Sequence, residues 1–308
     1  MSALRDALAD YLTMRRTLGY TLVSTGKLLS QFVTYLENHG EDHVTIENAL
    51  AWTMLPKAAH RSWYSIRFTA VRRFSIHLHG MDPTNQVPPS GLLPGRFPRA
   101  TPYLYSKTDV RALLTATATL RSPHRQATYR TLIALLAVTG MRVGEAIALD
   151  RDDFDAAAGV LTIRKGKLGK SRELPLHAST VTALNNYLHR PDRPSRRPDV
   201  AALLISPAGT RLFHSNVQDI FQHLVDQAGL KPRSAACRPR LHDFRHGLAV
   251  DTILDAYRNG GNPAVRLALL STYLGHVDPV STYWYLSAAP ELMELAGERL
   301  ERHLGGGT

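Results

Sequence analysis

Cysteine is nearly absent from this chain, and what the sequence lacks excludes several classes of protein. Its 308 residues include one cysteine, Cys237, which excludes a disulfide within the chain and a zinc site built from cysteines. No run of about 18 consecutive apolar residues occurs, and the best candidate, residues 132–138, ends at a Thr-Gly pair. The N-terminus lacks the basic and then apolar pattern of a secretory signal. We therefore expect a globular protein of the cytoplasm with no membrane partner.

Acidic residues are too few to balance the basic ones. The chain has 37 Lys and Arg residues against 26 Asp and Glu residues, which gives a net charge of +11. Such an excess attracts polyanions, and the planar fork of arginine suits contacts with phosphate. A solvated basic surface would produce the same totals. The charge makes nucleic acid a candidate partner without deciding the matter.

The first 82 residues predict a helical domain. Apolar residues recur at helical spacing over residues 28–36 and again over residues 63–78. The apolar face of the second helix is expected to contain Trp63, Ile66, Ala70, Val71 and Phe74. The remaining faces carry the arginines Arg61, Arg67, Arg72 and Arg73. Two interpretations of these arginines stay open, an ordinary solvated helix face and contact with DNA phosphates.

Residues 83–102 are rich in proline and glycine, which interrupt regular secondary structure. Arg96 and Arg99 make the segment basic. We interpret it as a linker that separates the first domain from a second at residues 103–308, and that could run along a DNA backbone.

The second domain is predicted to be mainly α with a small β component. Helices are expected over residues 109–115, 128–138, 142–149, 181–188, 216–228, 242–257, 263–271 and 290–304. Short strands at residues 160–163 and 173–176 flank a polar turn that contains Lys165, Lys167 and Lys170. This hairpin has a basic tip, which is either solvated or inserted into a groove or active site.

Several short segments of the second half carry candidate functional groups. Arg142 follows a glycine turn at the start of a helix, in the segment TGMRVGE, where backbone N–H groups and a guanidinium can face one anion. In the segment PRLHDFRH, His242 and Arg245 are three residues apart and share a helix face. His276 follows a Leu-Gly pair, and two tyrosines, Tyr283 and Tyr285, come shortly after it.

His242 and His246 are four residues apart, a spacing that also occurs in zinc sites. The glutamate of an H-E-x-x-H site is missing, however, and Asp243 is a poor substitute. We therefore expect no metal.

Taken in order, these segments resemble the boxes of the tyrosine recombinase or phage integrase family, which includes the Xer-like site-specific recombinases. The resemblance rests on a Thr-Gly-x-Arg box, a hairpin lysine, a Leu-His-Asp-x-Arg-His box and a Leu-Gly-His box followed by tyrosine. The family's spacing selects Lys167, eight residues before Pro175, and Tyr285, nine residues after His276. The catalytic set implied by the resemblance is Arg142, Lys167, His242, Arg245, His276 and Tyr285.

The resemblance implies a definite chemistry for this set. Tyr285 would attack a DNA phosphate and form a 3′-phosphotyrosine, while Arg142 and Arg245 stabilise the charge that develops on the phosphate oxygens. His242 and His276 would add hydrogen bonds, and Lys167 would protonate the leaving 5′ oxygen. Because one phosphodiester-like bond replaces another, neither ATP, a metal nor another cofactor is expected.

The resemblance also implies an assembly. The two domains would form a C-shaped clamp around double-stranded DNA, and four protomers would exchange strands through a Holliday junction in the nucleoid. Accessory recombination proteins are allowed as further partners. The amphipathic tail helix would dock on a neighbouring subunit or pack on its own domain. Integration, transposition and resolution remain open as biological tasks. The alternatives are a type IB topoisomerase with the same chemistry and a non-catalytic DNA-binding relative.

Overall fold

Helices account for most of the chain, as the apolar periodicity predicts. The computed structural model describes residues 2–93, 100–164, 171–195, 200–259, 261–275 and 290–305. The chain divides into two units, Met1–Arg99 and Ala100–Thr308. Over the described ranges both units are mainly helical, and a three-stranded sheet lies in the second. The predicted fold class, mainly α with a small β-sheet, is confirmed.

The first unit is a bundle of helices around one apolar core. Its helices are α1 (Ala3–Thr17), α2 (Val23–Asn38), α3 (Ile46–Met54) and α4 (Arg61–Met81). The stripe predicted in α2 is fully buried, since Leu29, Phe32 and Leu36 expose none of their surface. It packs in one cluster with Val71 and Phe74 of α4. Burial of such a stripe is the main source of stability for a helix of this length.

Two features of the first unit differ from the sequence prediction. The short helix α3 was not predicted, although a capping box between Thr45 and Asn48 starts it. Trp63 and Ile66 were placed on the apolar face of α4, but they are 40% and 52% exposed. Trp63 lies one turn before the first buried position of the helix, Arg67, and Ile66 lies beside the buried stripe. A period of 3.6 residues does not say where along a helix the core begins.

The segment after α4 belongs to the first unit. Asn85 is buried, and its side-chain oxygen accepts a hydrogen bond from the N–H of Val44 at 2.9 Å. Gln86 donates its N–H to the Val44 carbonyl at 2.7 Å and accepts one from the N–H of Ile46 at 2.9 Å. The predicted start of a linker at residue 83 is therefore too early, because Asn85 and Gln86 bond to Val44 and Ile46 of the first unit.

The second unit combines a helical core with the small sheet. Its helices are α5 (Lys107–Ala116), α6 (Pro123–Thr139), α7 (Val143–Ala148), α8 (Ala178–Leu188), α9 (His214–Gln227), α10 (Asp243–Arg258), α11 (Pro263–Leu274) and a C-terminal helix (Pro290–Gly305). All eight helices predicted for this half are confirmed, with ends shifted by several residues. The core is built around α6, whose residues Leu132, Ile133, Leu135 and Leu136 are at most 1% exposed.

The sheet has the order β1 (Phe154–Asp155), β2 (Val160–Ile163), β3 (Arg172–Pro175), with antiparallel neighbours. The two predicted strands of the basic hairpin correspond to β2 and β3, and β1 is too short to give a sequence signal. Leu161 opposes Leu174, and both are fully buried. Ile163 opposes Arg172 at the end where the chain leaves β2 and returns into β3. The tip, with Lys165, Lys167 and Lys170, lies outside the described residues.

A second apolar cluster of this unit joins α10, α11 and the C-terminal helix. Leu292 of the C-terminal helix is 2% exposed and packs with Ile253 of α10 and Leu270 of α11. Arg258 of α10 also pairs with Glu291. The start of the predicted tail helix therefore packs on its own unit in this structure.

Candidate active site

The turn before Arg142 is fixed by a glycine. Gly140 ends α6 in the left-handed conformation, with φ +59°, which side chains other than glycine adopt at a cost. A Cβ at this position would lie 2.7 Å from Cδ2 of Leu248, so that side chain would have to shift to admit one. The chain then turns within two residues, and Arg142 becomes the N-cap of α7. The Thr-Gly pair thus places Arg142 at a helix start, as the sequence predicts.

Glu145, three residues into that helix, is the partner of Arg142. Its carboxylate accepts the backbone N–H of Arg142 at 2.9 Å and Nη1 of the same residue at 2.8 Å. Arg172 of β3 donates to both carboxylate oxygens, at 3.2 and 2.8 Å. Burial opposes ionisation of Glu145, but the hydrogen bonds from Arg172 and Arg142 outweigh it and lower its pKa to about 2. One buried carboxylate therefore holds two arginines from separate elements.

Arg245 lies behind this turn and is almost completely buried, with 1% of its surface exposed. Its Nη1 donates to the carbonyl of Gly140 at 3.0 Å, and its Nη2 donates to the carbonyl of Leu274. Buried guanidinium groups are tolerated only when such acceptors replace their hydration. Arg245 thereby joins the turn before Arg142 to the end of α11, two residues before His276.

The start of α10 is organised by an ion pair. Asp243, which is fully buried, accepts hydrogen bonds from the backbone N–H, Nε and Nη2 of Arg240. Burial raises the pKa of Asp243, and Arg240 opposes that shift. Tyr105 donates its hydroxyl to the Arg240 carbonyl at 3.1 Å and stacks on Phe244. These contacts fix both ends of the segment Arg240–Asp243, which contains Leu241 and His242.

His242 faces solvent at the base of α10, yet the protein around it removes part of its hydration. This desolvation and the positive charges of Arg245, Arg142 and Arg240 lower its pKa to about 4. The imidazole is therefore neutral at pH 7. Its ring meets the ring of His246 edge to face, with centroids 4.8 Å apart.

Arg142 and His242 line the same cleft, which has a volume of about 840 Å³. The other basic residues in its wall are Arg164 and Arg240, and α9 contributes His214, Gln218 and Gln222. Each of the three arginines pairs with a carboxylate, Arg142 with Glu145, Arg164 with Asp153 and Arg240 with Asp243. Among the described residues, no group of three or more His, Cys, Asp or Glu side chains could hold a metal ion. The lining itself holds these three arginines and one carboxylate, Glu145, and this excess of positive charge suits an anion.

The structure brings three of the six predicted catalytic residues together. Arg142 and His242 line the cleft, whereas Arg245 lies behind it and binds backbone carbonyls. Lys167, His276 and Tyr285 lie outside the described residues. The segments next to Lys167 and His276 are nonetheless bound to the site. Arg172 of β3, the strand after Lys167, binds Glu145. Arg245 binds the carbonyl of Leu274, two residues before His276.

The arginines predicted to contact DNA differ in placement. Arg61 and Arg73 are exposed on α4, and Arg72 is half-buried. Arg67 was predicted on the helix surface, and this is wrong. It is 6% exposed, its guanidinium lies 3.5 Å from the ring centre of Trp52, and it donates to the carbonyls of Trp52 and Thr53. Arg96, Arg99, Lys165 and Lys170 lie outside the described residues.

The sequence prediction gave no role to Glu145, Arg172, Arg240 and Asp243, although all four lie within or a few residues from the boxes. A signal for Glu145 was present, since a glutamate at the third position of a helix is the usual partner of its N-cap. Arg240 and Asp243 have the same three-residue spacing. Nothing in the sequence indicates that Arg172 reaches Glu145, because this contact joins residues 27 positions apart.

Comparisons with known proteins show the family to which the chain belongs. The sequence model of the phage integrase family matches residues 104–291. A protein of Sinorhizobium fredii, y4rB, whose name places it among the integrases and recombinases, is 44% identical over 98% of both chains. The tyrosine recombinase XerC of Herpetosiphon aurantiacus is 28% identical, over 89% of this chain and 87% of its own. The chain therefore belongs to the phage integrase family and is a tyrosine-type site-specific DNA recombinase.

Solved structures share the fold at low sequence identity. The Tn1549 transposon integrase, in complex with transposon right end DNA, has a TM-score of 0.65 and 16% identity over 98% of this chain and 99% of its own. The XerH recombinase bound to a palindromic difH substrate has a TM-score of 0.60 and 19% identity over 96% of this chain and 84% of its own. Within the described ranges, no helix is both long and apolar enough to cross a membrane.

Proposed function

We propose that this chain cuts and rejoins double-stranded DNA through a 3′-phosphotyrosine on Tyr285. The observation that carries the proposal is the basic cleft that Arg142 and His242 both line. The order of the sequence boxes supports Tyr285 as the nucleophile, and the names of the relatives support DNA as the substrate.

In the proposed reaction the phenolic oxygen of Tyr285 attacks phosphorus, and the bond to the 5′ oxygen breaks. Arg142 stabilises the negative charge that develops on the non-bridging oxygens. Arg245 holds Gly140 and Leu274 in place and adds positive charge from behind the cleft. The neutral imidazole of His242 accepts the tyrosine proton, and Lys167 donates a proton to the 5′ oxygen. His276 adds a hydrogen bond to the phosphate, and attack by a 5′ hydroxyl reverses the steps.

A DNA duplex nicked next to the cleavage site tests this chemistry. The short fragment that carries the new 5′ hydroxyl diffuses away, so the strand cannot be rejoined and the covalent product accumulates. We expect the wild-type chain to form an SDS-stable adduct with such DNA. Tyr285→Phe should abolish the adduct, and Tyr283→Phe, a matched change two residues away, should leave it. The reverse pattern would move the nucleophile to Tyr283, and no adduct with wild-type protein on its cognate site would refute the mechanism.

The role of Lys167 has its own test. Lys167→Ala should cleave an ordinary phosphodiester poorly, because the 5′ oxygen then leaves without a proton. A 5′-thio substrate should restore cleavage, since a thiolate leaves without protonation. Absence of this rescue would contradict the assignment of Lys167 as the general acid.

We further propose that the chain acts on mobile DNA, in integration, transposition or resolution, and that it works as a homotetramer on DNA. The names of its relatives support this task, as do the DNA complexes of the transposon integrase and XerH. Strand exchange between two duplexes carrying the cognate site would support a recombinase. Relaxation of supercoiled DNA without exchange would favour the topoisomerase activity instead, and DNA binding without an adduct would favour a non-catalytic relative.

The C-terminal helix allows the assembly to be tested. Leu292 packs on its own unit, while Met293 is 66% exposed. If the helix bridges protomers, deletion from Pro290 onward should leave binding to a single half-site intact and prevent assembly of four protomers. Unchanged assembly, measured as the mass of the complex on DNA, would contradict docking on a neighbour.

A further inference from the structure

Arg172, the first residue of β3, contacts two other parts of the site. Its Nη1 and Nη2 bind the two carboxylate oxygens of Glu145, and its Nε donates to the carbonyl of Tyr273 at 2.9 Å. The side chain is 13% exposed. A single guanidinium therefore joins the return strand of the lysine hairpin, the start of α7 and the last turn of α11.

The contact with Glu145 bears directly on Arg142. Glu145 accepts two hydrogen bonds from Arg142 and two from Arg172. Two positive charges thus share one buried carboxylate. A carboxylate that is already neutralised by Arg172 attracts Arg142 less strongly than a carboxylate with a single partner. Arg172 consequently decides how much of the Arg142 charge is available to another anion.

The contact with the Tyr273 carbonyl is supported by an independent feature. Gly275 ends α11 with φ +67°, and a Cβ there would lie 3.0 Å from Nη1 of Arg172. Arg172 therefore packs directly beneath the turn from which the chain continues to residue 276. The glycine of the Leu-Gly-His box leaves space for this guanidinium as well as adopting a left-handed conformation.

We propose that Arg172 is a positioning residue for strand cleavage. It neutralises Glu145 so that Arg142 can stabilise the charge on the reacting phosphate, and it fixes the turn that leads to His276. The inference rests on the proposed phosphotyrosine chemistry. Arg172 itself does not line the cleft and is not assigned a contact with DNA.

The first test compares Arg172→Met and Arg172→Lys with wild type in single-turnover adduct formation on nicked DNA. We expect Arg172→Met to lower the rate constant by about 10- to 100-fold, because a displaced catalytic group has this order of effect. Arg172→Lys keeps the charge without the bidentate fork and should be intermediate. The dissociation constant for DNA should change by less than about threefold, since the loss concerns the reacting state.

Arg211→Met is the matched control. Arg211 also joins a carboxylate, that of Asp150, to backbone carbonyls, those of Ile147 and Leu149, but it does not line the cleft. Its loss should lower the melting temperature while folded protein cleaves at the wild-type rate. Equal slowing by both substitutions would reduce Arg172 to a general structural role and overturn the inference.

Chemically modified substrates distinguish a positioning role of Arg172 from a purely structural one. A methylphosphonate at the cleavage site lacks the negative charge that Arg142 neutralises, so the defect of Arg172→Met should shrink on this substrate. It should not shrink on a 5′-thio substrate, where only the leaving group is changed. An equal loss on all substrates would contradict the proposed route, and rescue by the thio substrate alone would assign Arg172 to the lysine hairpin instead.

The double variant Arg172→Met with Glu145→Gln covers the case in which the single variant does not fold, because it also removes the buried negative charge that Arg172 helps to neutralise. The effect of Arg172→Met should be smaller in this background than in wild type. Absence of any adduct with wild-type protein would refute the proposed function itself. A normal wild-type adduct together with undiminished cleavage by Arg172→Met would refute only the role of Arg172.

Discussion

The guanidinium of Arg245 donates a hydrogen bond to the carbonyl of Gly140 at 3.0 Å, across 105 positions of the chain. A second N–H of the same group binds the carbonyl of Leu274. One buried side chain thus joins the turn before Arg142 to the turn after α11. The arrangement of the site and the stability of the second unit depend on the same residue.

Arg245→Lys should therefore lose both stability and cleavage. A lysine keeps the charge, but its single ammonium cannot reproduce a planar fork aimed at two carbonyls. We expect unfolding in urea to show a loss of about 2–4 kcal/mol. Arg258→Lys, at an exposed ion pair with Glu291, should cost less than about 1 kcal/mol. Similar losses for the two variants would contradict the buried role of Arg245.

Gly140→Ala should destabilise the second unit. The substitution places a Cβ in a left-handed residue and against Cδ2 of Leu248, so about 1–3 kcal/mol is expected. Gly144→Ala is the control, because nothing lies within 4 Å of its added Cβ and the residue is helical. It should be neutral or slightly stabilising. Thermal unfolding of both variants provides the measurement, and Leu248→Ala should relieve part of the first effect.

Arg67 and Arg73 should respond differently to substitution by alanine. Arg67 is buried over Trp52, so its loss should lower the melting temperature of the first unit. Arg73 is exposed, so its loss should leave the melting temperature unchanged and weaken DNA binding. If Arg73 contacts a phosphate, the slope of log K against log salt should fall by about 0.9. A changed salt slope with intact stability for Arg67→Ala would contradict its structural role.

The lowered pKa of Glu145 predicts that the stability of the second unit depends on pH. Its pKa is lowered to about 2 from an ordinary value of 4.5. The unfolded chain binds the proton more tightly, so the stabilisation is complete above pH 4.5 and is lost as pH falls towards 2. The linked loss on full protonation is about 3 kcal/mol. Urea unfolding at pH 5.5 and pH 3 should show a smaller acid loss for Glu145→Gln than for wild type. Equal acid losses would contradict the assignment.

If the cleft binds DNA as proposed, we expect exposed side chains of α9 to contact the bases and contribute to recognition of the DNA sequence. Gln218 lines the cleft and is exposed, and glutamine pairs with adenine through two hydrogen bonds in the major groove. Gln218→Ala should reduce the preference for the cognate site by about 1–3 kcal/mol at one base pair. His223→Ala, exposed on the same helix outside the cleft lining, should leave the preference unchanged. Binding of substituted sites would measure both.

Much of the fold could be predicted because helical periodicity is a local property. The buried stripe of α2 and the two strands of the basic hairpin follow from residues a few positions apart. The prediction failed where elements are short, as in α3 and β1, and where a helix extends beyond the core, as at Trp63. It also failed for the start of the linker, because Asn85 is held by a residue 41 positions earlier.

The sequence by itself determined the candidate catalytic residue types and their order, since a glycine turn and a helix spacing place Arg142, His242 and Arg245 through local geometry. Only the tertiary structure decided how these groups are used. Arg67 and Arg245 are both arginines at helical positions, yet both are buried and bind backbone carbonyls. Likewise Arg172 shares Glu145 with Arg142 although 27 positions separate it from that carboxylate. Such pairings depend on which charged groups are buried next to each other. This is decided only when segments distant in the sequence pack together.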